Sequence, residues 1–142
     1  MDMQWFMERD AFAKMLGIRL VEVAPGYAKT AMDLTDDLKN GAGIAHGGAV
    51  FTLADLALAL ASNSHGRLAL AVSSAITYVR PGTGATLYAE AREVACASKM
   101  GTYAITITND TGVTVASCQG TVYRKDVPYT KETADAAGGR KA

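Results

Sequence analysis

The chain has 142 residues, of which 49% are hydrophobic and 20% are charged, as expected for one soluble globular domain. Its 14 Lys and Arg residues balance its 14 Asp and Glu residues, which excludes a strong non-specific attraction to nucleic acid or to an anionic membrane. The first residues lack a basic segment followed by an apolar run, so we expect no signal peptide and a cytoplasmic location.

The first third of the chain is predicted to contain a short helix, a hairpin and a loop. Residues 4–16 have the apolar spacing of a helix and end at Gly17, a residue type that often follows the last helical turn. Segments 18–23 and 27–34 flank a Pro-Gly turn, which is typical of a β-hairpin. Residues 35–48 form a polar, glycine-rich loop.

A long apolar helix is predicted from Ala49 to about Asn63. Its residues are apolar on nearly every side, which places such a helix in the interior of a protein. One face of a sheet cannot cover all of it, so we expect its other side to meet a second subunit. The helix is too short to cross a bilayer, and Asp55 interrupts it.

Four strand-like segments follow the helix, namely residues 68–79, 85–95, 102–109 and 113–123. Short turns separate them, so neighbours in sequence are expected to pair as antiparallel strands. From residue 126 the chain is polar and rich in Gly and Ala, which predicts a flexible tail. One domain is therefore predicted over residues 1–125, followed by a tail over residues 126–142.

Asp55 is the first candidate for catalysis. A lone carboxylate in an apolar helix costs several kcal/mol unless it is partnered or has a chemical role. The structural alternative is a carboxylate that is bonded to Thr52 or to the backbone. The glycine-rich start of the same helix favours a chemical role, in which Asp55 activates a water or attacks a carbonyl itself.

Gly47 and Gly48 precede this helix and are candidates for an oxyanion site. Backbone N–H groups at a helix start lack acceptors and lie at the positive end of the helix dipole. One such donor typically contributes about 3 kcal/mol of transition-state stabilisation. The alternative is that the two glycines only let the chain bend. A carboxylate together with an oxyanion site indicates acyl transfer or hydrolysis.

The spacing of Gly47 and Asp55 predicts a site between two chains. Eight residues of helix span about 12 Å at roughly 1.5 Å per residue, so one carbonyl cannot contact both groups of one chain. If both act on one bond, one of them comes from a neighbouring subunit. A two-fold dimer then carries two equivalent sites.

For the other polar residues near the predicted site, a structural and a functional interpretation are both open. His46 is equally consistent with a helix cap and with a group beside the oxyanion site, and Asn40 with a turn and with an amide that orients substrate or water. Arg80 and Lys99 fit ordinary solvated charges better than phosphate contacts. The two histidines and two cysteines lack the spacing of metal ligands, so no metal site is predicted.

Two motifs carry a resemblance to a known family. The chain strongly resembles the hotdog-fold acyl-CoA thioesterases of the phenylacetic acid degradation (PaaI) type in the stretch Asn40-Gly41-x-Gly43-x-x-His46-Gly47-Gly48-x-x-Phe51-x-Leu53-Ala54-Asp55. It is also similar to the family's strand after the helix, which ends in Arg-Pro, in Ile76-Thr77-Tyr78-Val79-Arg80-Pro81-Gly82. The resemblance runs from about residue 10 to residue 124.

The resemblance implies an α+β hotdog fold, with about six antiparallel strands around the long central helix and a short N-terminal helix. It implies hydrolysis of an acyl-CoA, of aryl, phenylacetyl or medium-chain type, to free acid and CoA. No metal or other cofactor is implied, since coenzyme A is part of the substrate. The implied assembly is a dimer on a shared sheet, or a dimer of dimers, with active sites between subunits.

The same resemblance implies a role for each candidate residue. Asp55 corresponds to the catalytic carboxylate, and the Gly47 N–H to the donor that polarises the thioester carbonyl. Asn40 and His46 correspond to residues that line the site. Contacts with substrate or CoA are implied for five further residues: Gly48, Arg80, Lys99, Met100 and Gly101.

Two rival functions stay open. A hotdog hydratase or dehydratase acts on enoyl or 3-hydroxyacyl thioesters with a histidine and an acidic residue, and His46 with Asp55 matches that pairing. The Gly-Gly after His46 favours the thioesterase. A non-catalytic acyl-CoA sensor usually carries a DNA-binding extension, whereas this chain has neither a basic segment nor spare length for one.

Overall fold

A computed structural model describes residues 3–139 and contains a six-stranded antiparallel sheet that wraps around one long helix. The helices are α1 (Met3–Arg9), α2 (Ala11–Met15), α3 (Gly47–Asn63) and α4 (Lys131–Ala137). The strands are β1 (Arg19–Ala24), β2 (Tyr27–Asp33), β3 (Arg67–Tyr78), β4 (Thr86–Cys96), β5 (Met100–Asn109) and β6 (Thr114–Pro128). The predicted six strands and the central helix are confirmed.

The N-terminal helix is two short helices rather than the one predicted over residues 4–16. Asp10 separates them, because its side chain accepts a hydrogen bond from the Ala13 N–H at 2.9 Å and so caps the start of α2. Gly17 follows α2 with a φ of 71°, a conformation that glycine adopts without strain, as its predicted role at the helix end requires.

Helix α3 packs its leucine-rich side into the concave face of the sheet. Leu53, Leu56 and Leu60 are fully buried there. The helix approaches β6 closely at Gly120, where an added Cβ would lie only 2.4 Å from Leu58. None of the helices within residues 3–139 is long and apolar enough to span a bilayer.

The position of β3 differs from the prediction that each strand pairs with its neighbour in sequence. The sheet order is β1-β2-β4-β5-β6-β3, so β3 lies at an edge beside β6 and does not pair with β4. After β3, the N–H groups of Val79 and Arg80 both donate to Val115 of β6, at 2.8 and 3.1 Å. Pro81 has no N–H to donate, and the Gly82 carbonyl instead accepts from the Ala45 N–H at 2.9 Å. The segment therefore crosses the end of the sheet instead of forming a hairpin.

The C-terminal segment also differs from the predicted flexible tail. Strand β6 runs on to Pro128, and α4 begins after Thr130, whose side chain forms a capping box with Thr133. Tyr129 lies between them and contacts the rings of Trp5 and Phe6 on α1, at 5.7 and 5.6 Å between centroids. Aromatic packing on α1 therefore holds this segment against the domain, while residues 140–142 of the predicted tail lie outside the described residues.

Candidate active site

The start of α3 leaves one backbone donor without an acceptor. His46 is the N-cap: its Nδ1 accepts from the Gly48 N–H at 2.9 Å, and its carbonyl accepts from Ala49 and Val50. Within residues 3–139, the Gly47 N–H donates to no acceptor. Of the two glycines proposed for an oxyanion site, only Gly47 therefore offers a vacant N–H, at the positive end of a 17-residue helix.

Tyr78, which the sequence analysis did not single out, fixes the position of Gly47. The Tyr78 hydroxyl donates to the Gly47 carbonyl at 2.8 Å. A Cβ added to Gly47 would lie 3.1 Å from the oxygen of that hydroxyl. Tyr78 ends β3, so this contact ties the start of the helix to the end of the edge strand. The only sequence signal was its place just before the Val-Arg-Pro segment.

Asn40 faces the same end of α3. Its Oδ1 accepts from the Ala42 N–H at 2.9 Å and from the Ile44 N–H at 3.4 Å, so it forms the predicted turn. Its side-chain nitrogen makes no hydrogen bond to any described residue. Asn40, Gly47, Tyr78 and Arg80 line one cavity of about 260 Å³, so an unengaged amide N–H₂ lies in the same cavity as the vacant backbone donor.

Asp55 is exposed in the single chain, not buried in its interior as the sequence predicted. The reason is that α3 has an outer stripe of small and polar residues, among them Gly48, Thr52 and Ala59, that points away from the sheet. The Thr52 hydroxyl donates to the Gly48 carbonyl at 2.8 Å and not to Asp55. The Asp55 carboxylate accepts no hydrogen bond among the residues that the structure describes, which contradicts the structural alternative.

Apolar surroundings nevertheless act on the Asp55 carboxylate. It lines a cavity of about 370 Å³ whose other walls are mostly apolar. Partial burial raises the pKa of Asp55, and the negative charge of nearby Asp10 raises it further. The pKa of the Cys118 thiol on β6 is raised by burial and by the charge of Asp55. Solvent reaches the carboxylate, but one side of it lies against apolar side chains. Such an environment is suited to a general base.

One chain does not bring all the predicted site residues together. Gly47 and Asp55 belong to the same helix and line different cavities, about 12 Å apart along the axis at roughly 1.5 Å per residue. His46 and Gly48 line a third cavity, of about 400 Å³, with Phe12 of α2 as one of its walls.

The predicted CoA-binding residues lie at opposite ends of the sheet. Arg80 is at the Thr114 end of β6, where it donates to the Thr114 carbonyl at 3.0 Å. Lys99 is at the other end and pairs with Asp126 at 2.7 Å. Of its neighbours in the turn, Met100 is exposed and Gly101 is buried.

Lys99 is part of a basic cluster that the sequence analysis did not recognise. Arg67, at the start of β3, pairs with the same Asp126 at 2.8 Å, and Arg124 donates to the Ala97 carbonyl at 2.8 Å. These residues are 25 or more positions apart in sequence, so only the fold brings their charges together. Over the described range 3–139, no three His, Cys, Asp or Glu side chains are grouped to hold a metal ion.

Comparison with known proteins identifies the family. The sequence model of the Thioesterase superfamily matches residues 42–116, more than half of the chain. The chain belongs to the thioesterase superfamily. The matched segment includes the start of α3, Asp55 and the end of β3. The superfamily match therefore covers the second motif and the first motif from residue 42 onward, whereas Asn40 and Gly41 lie just before it.

Relatives within the superfamily agree in sequence and fold. The acyl-coenzyme A thioesterase PaaI of Escherichia coli K12 is 41% identical over 118 residues, which are 82% of this chain and 84% of that protein. The structure of E. coli PaaI, from the phenylacetic acid degradation operon, superimposes with a TM-score of 0.87 at 37% identity and covers 91% of this chain and 94% of that one. The expected hotdog fold and PaaI-type resemblance are confirmed, and the protein is a thioester hydrolase.

A second relative was solved with a ligand. The smu.793 protein of Streptococcus mutans, bound to acetyl-CoA, superimposes with a TM-score of 0.74 at 28% identity. The superposition covers 79% of this chain and 91% of that one.

Proposed function

We propose that this thioesterase hydrolyses acyl-CoA thioesters to a free acid and CoA, at two equivalent sites between two chains. The observation that carries the proposal is the pair of unengaged groups on α3: the Asp55 carboxylate and the Gly47 N–H. The substrate class is supported by the 41%-identical E. coli relative, which is an acyl-CoA thioesterase, and by the S. mutans relative, which binds acetyl-CoA.

The free edge of β3 supports the proposed dimer. From Leu68 to Tyr78 this edge strand contains no charged residue and no proline, and Leu70, Val72 and Tyr78 are 42%, 58% and 51% exposed. An uncharged apolar edge strand is a template for pairing with another chain. Two-fold pairing of β3 with a second β3 makes one continuous antiparallel sheet, with both α3 helices on the same face.

Such a dimer brings the two unengaged groups together. Gly47 is held at the C-terminal end of β3 by Tyr78, whereas the cavity of Asp55 is lined by Leu70 and Ala71 nearer the N-terminal end. In an antiparallel pair, the C-terminal end of one strand lies beside the N-terminal end of the other. Gly47 of one chain therefore faces Asp55 of the other.

The proposed reaction uses these groups in fixed roles. The Gly47 N–H donates to the thioester carbonyl oxygen and stabilises the negative charge that develops there. Asp55 takes a proton from water, the hydroxide adds to the carbonyl carbon, the C–S bond breaks, and the proton passes to the leaving thiolate. Alternatively, Asp55 attacks the carbon itself, thiolate leaves, and water hydrolyses the resulting anhydride. The raised pKa of Asp55 strengthens the carboxylate both as a base and as a nucleophile, so both routes use the same residue.

The remaining candidates are proposed to hold the substrate. The side-chain nitrogen of Asn40 is placed to donate to the carbonyl or to a water, and His46 positions the start of α3 through Gly48. We propose that the phosphates of CoA contact Arg80 of one chain and the basic cluster around Lys99 of the other chain. An aryl, phenylacetyl or medium-chain acyl group, a dimer of dimers, a cytoplasmic location and the absence of a cofactor stay predictions.

The pH dependence of hydrolysis is expected to report the charge of Asp10. Since Asp55 must be ionised, activity is lost as the pH falls through its pKa, which burial and the Asp10 charge both raise. Asp10→Asn removes that charge but keeps an oxygen to cap α2, so we expect the acidic limb of the kcat/KM profile to move to lower pH. Profiles of both proteins with one substrate test this. An acidic limb that does not move would show that the charge of Asp10 does not raise the pKa of the group that limits activity.

A single assay distinguishes the thioesterase from the rival hydratase. With an enoyl-CoA as substrate, we expect free thiol to appear and the C=C bond to be retained in the product acid, whereas a hydratase would consume the C=C bond and release no thiol. The hydratase reading is disfavoured because His46 Nδ1 is already engaged with the Gly48 N–H. Loss of the enoyl absorbance without release of thiol would reject hydrolysis as the activity.

A further inference from the structure

The cavity beside Asp55 is walled by parts of the chain that are far apart in sequence. Its volume is about 370 Å³, and its walls come from α3, the start of β3, β6, α1 and the C-terminal segment. Leu58 and Ala59 form the α3 wall, and Leu70 contributes from β3. Among the residues that the structure describes, Asp55 is the only charged side chain that lines it. A mostly apolar cavity with one carboxylate in its wall is suited to a ligand that has an apolar body and one reactive group.

The two ends of the chain close this cavity together. Tyr129 lines it and packs against Phe6, which also lines it, with ring centroids 5.6 Å apart. Arg9 lies 4.7 Å over the Trp5 ring and forms an ion pair with Asp135 of α4. Helix α4 is thus attached to α1 by an ion pair, and Tyr129, which precedes α4, is attached to α1 by aromatic contacts. We call α1, Tyr129 and α4 together the terminal clasp.

The lining of the terminal clasp combines aromatic rings with small side chains. Phe6 and Tyr129 present rings, whereas α4 and the residue after it present only Ala134, Ala137 and Gly138. An apolar cavity of about 150 Å³ already binds benzene. The volume here is more than twice as large, so one aromatic ring with a short linker fits, and its edge meets two aromatic side chains.

We propose that this cavity takes the acyl group of the substrate, and that Ala134 on α4 sets the largest acyl group that is accepted. The inference rests on the proposed hydrolysis of acyl-CoA, and it assigns the specificity of that reaction to the terminal clasp. The thioester carbon lies at the Asp55 end of the cavity, and an aryl or arylacetyl group extends from it toward Phe6 and Tyr129. The CoA portion leaves the cavity at the Asp55 end.

Two matched substitutions on one helix test the proposal. Ala134 is half-buried and lines the cavity, whereas Ala136 is exposed and does not line it. We expect Ala134→Met to lower the ratio of kcat/KM for phenylacetyl-CoA to that for acetyl-CoA by at least about tenfold, the usual scale for one or two misplaced methylenes. Ala136→Met, with the same change in volume, is expected to leave that ratio unchanged.

A second variant fills the cavity from the opposite wall. Ala59→Leu enlarges a side chain of the α3 wall and leaves the sequence of α4 unchanged. We expect it to lower the same ratio, and this result does not depend on α4 staying folded. The inhibition constant of free CoA, which has no acyl group, is expected to stay unchanged in both variants. An unchanged substrate ratio would overturn the proposal, and so would weaker binding of free CoA, since the cavity would then hold the pantetheine arm.

The outcomes separate this inference from the proposed function. Absence of thiol release by the wild-type protein with every acyl-CoA would reject the function. Hydrolysis that depends on Asp55 but is indifferent to Ala134 and Ala59 would reject only the acyl assignment.

Discussion

Asp55→Asn is expected to lower kcat for acyl-CoA hydrolysis by at least about a hundredfold, the usual scale for the loss of an acid–base group. The amide keeps the shape of the carboxylate but can neither accept a proton from water nor form an anhydride. Asp55→Ala is expected to lower kcat by the same factor, because either substitution removes the reactive carboxylate. Both are measured by thiol release at saturating substrate, with aryl and aliphatic CoA thioesters.

The loss of activity is expected without loss of stability. Burial raises the pKa of Asp55, so the folded state disfavours its charge at neutral pH, and the carboxylate makes no hydrogen bond in the described part of the chain. Asp55→Asn is therefore expected to unfold at the same temperature as the wild type or at a higher one. Glu22→Gln, which neutralises an exposed carboxylate on β1, is the control and should retain full activity. Unchanged turnover in a well-folded Asp55→Asn protein would remove Asp55 from the mechanism.

The parts of the fold that were predicted correctly depend on local signals. The Pro-Gly turn between β1 and β2 and the apolar run of α3 each indicate an element within a few residues. The place of β3 depends on long-range pairing: Ile76 pairs with Cys118, more than 40 positions away. A short glycine-containing connection is compatible with a hairpin or a crossover, and the choice depends on hydrogen bonds to Val115 that local sequence does not encode.

The same distinction applies to the candidate site. Asp55 and Gly47 stand out in sequence because each is unusual among its immediate neighbours. Tyr78, Phe6 and Tyr129 are ordinary aromatic residues in sequence, and they join the candidate site only because the fold places them beside the start of α3 or beside Asp55. Asp55 was expected in the interior because apolar composition predicts burial, but the outer stripe of α3 leaves it open on a surface that a second chain is proposed to cover.

The backbone donor at the start of α3 can be removed almost alone. Gly47 is the first residue of α3, where proline is tolerated, and His46 has an extended ψ of 132° that suits the residue before proline. Because the Gly47 N–H donates to no described residue, Gly47→Pro removes no helical hydrogen bond. We expect it to lower kcat/KM by about a hundredfold to a thousandfold, as for loss of one oxyanion donor.

Gly47→Ala is the matched control for this substitution. It adds the same Cβ, which meets the Tyr78 hydroxyl at 3.1 Å, but keeps the N–H. Any loss in the alanine variant measures crowding, and the further loss in the proline variant measures the donor. Equal activity of the alanine and proline variants would mean that the N–H does not act on the carbonyl.

Mixed dimers of the two inactive variants test whether the site is shared. If Gly47 of one chain acts with Asp55 of the other, a dimer of one Asp55→Asn chain and one Gly47→Pro chain has one site with both defects and one site with neither. Such dimers, purified through two different tags, are then expected to regain about half of the wild-type activity, because two-fold symmetry provides two sites. If the two groups acted within one chain, every site would keep one defect and the mixed dimer would be as inactive as its parents. Recovery of activity therefore requires that the helix start and the carboxylate come from different chains.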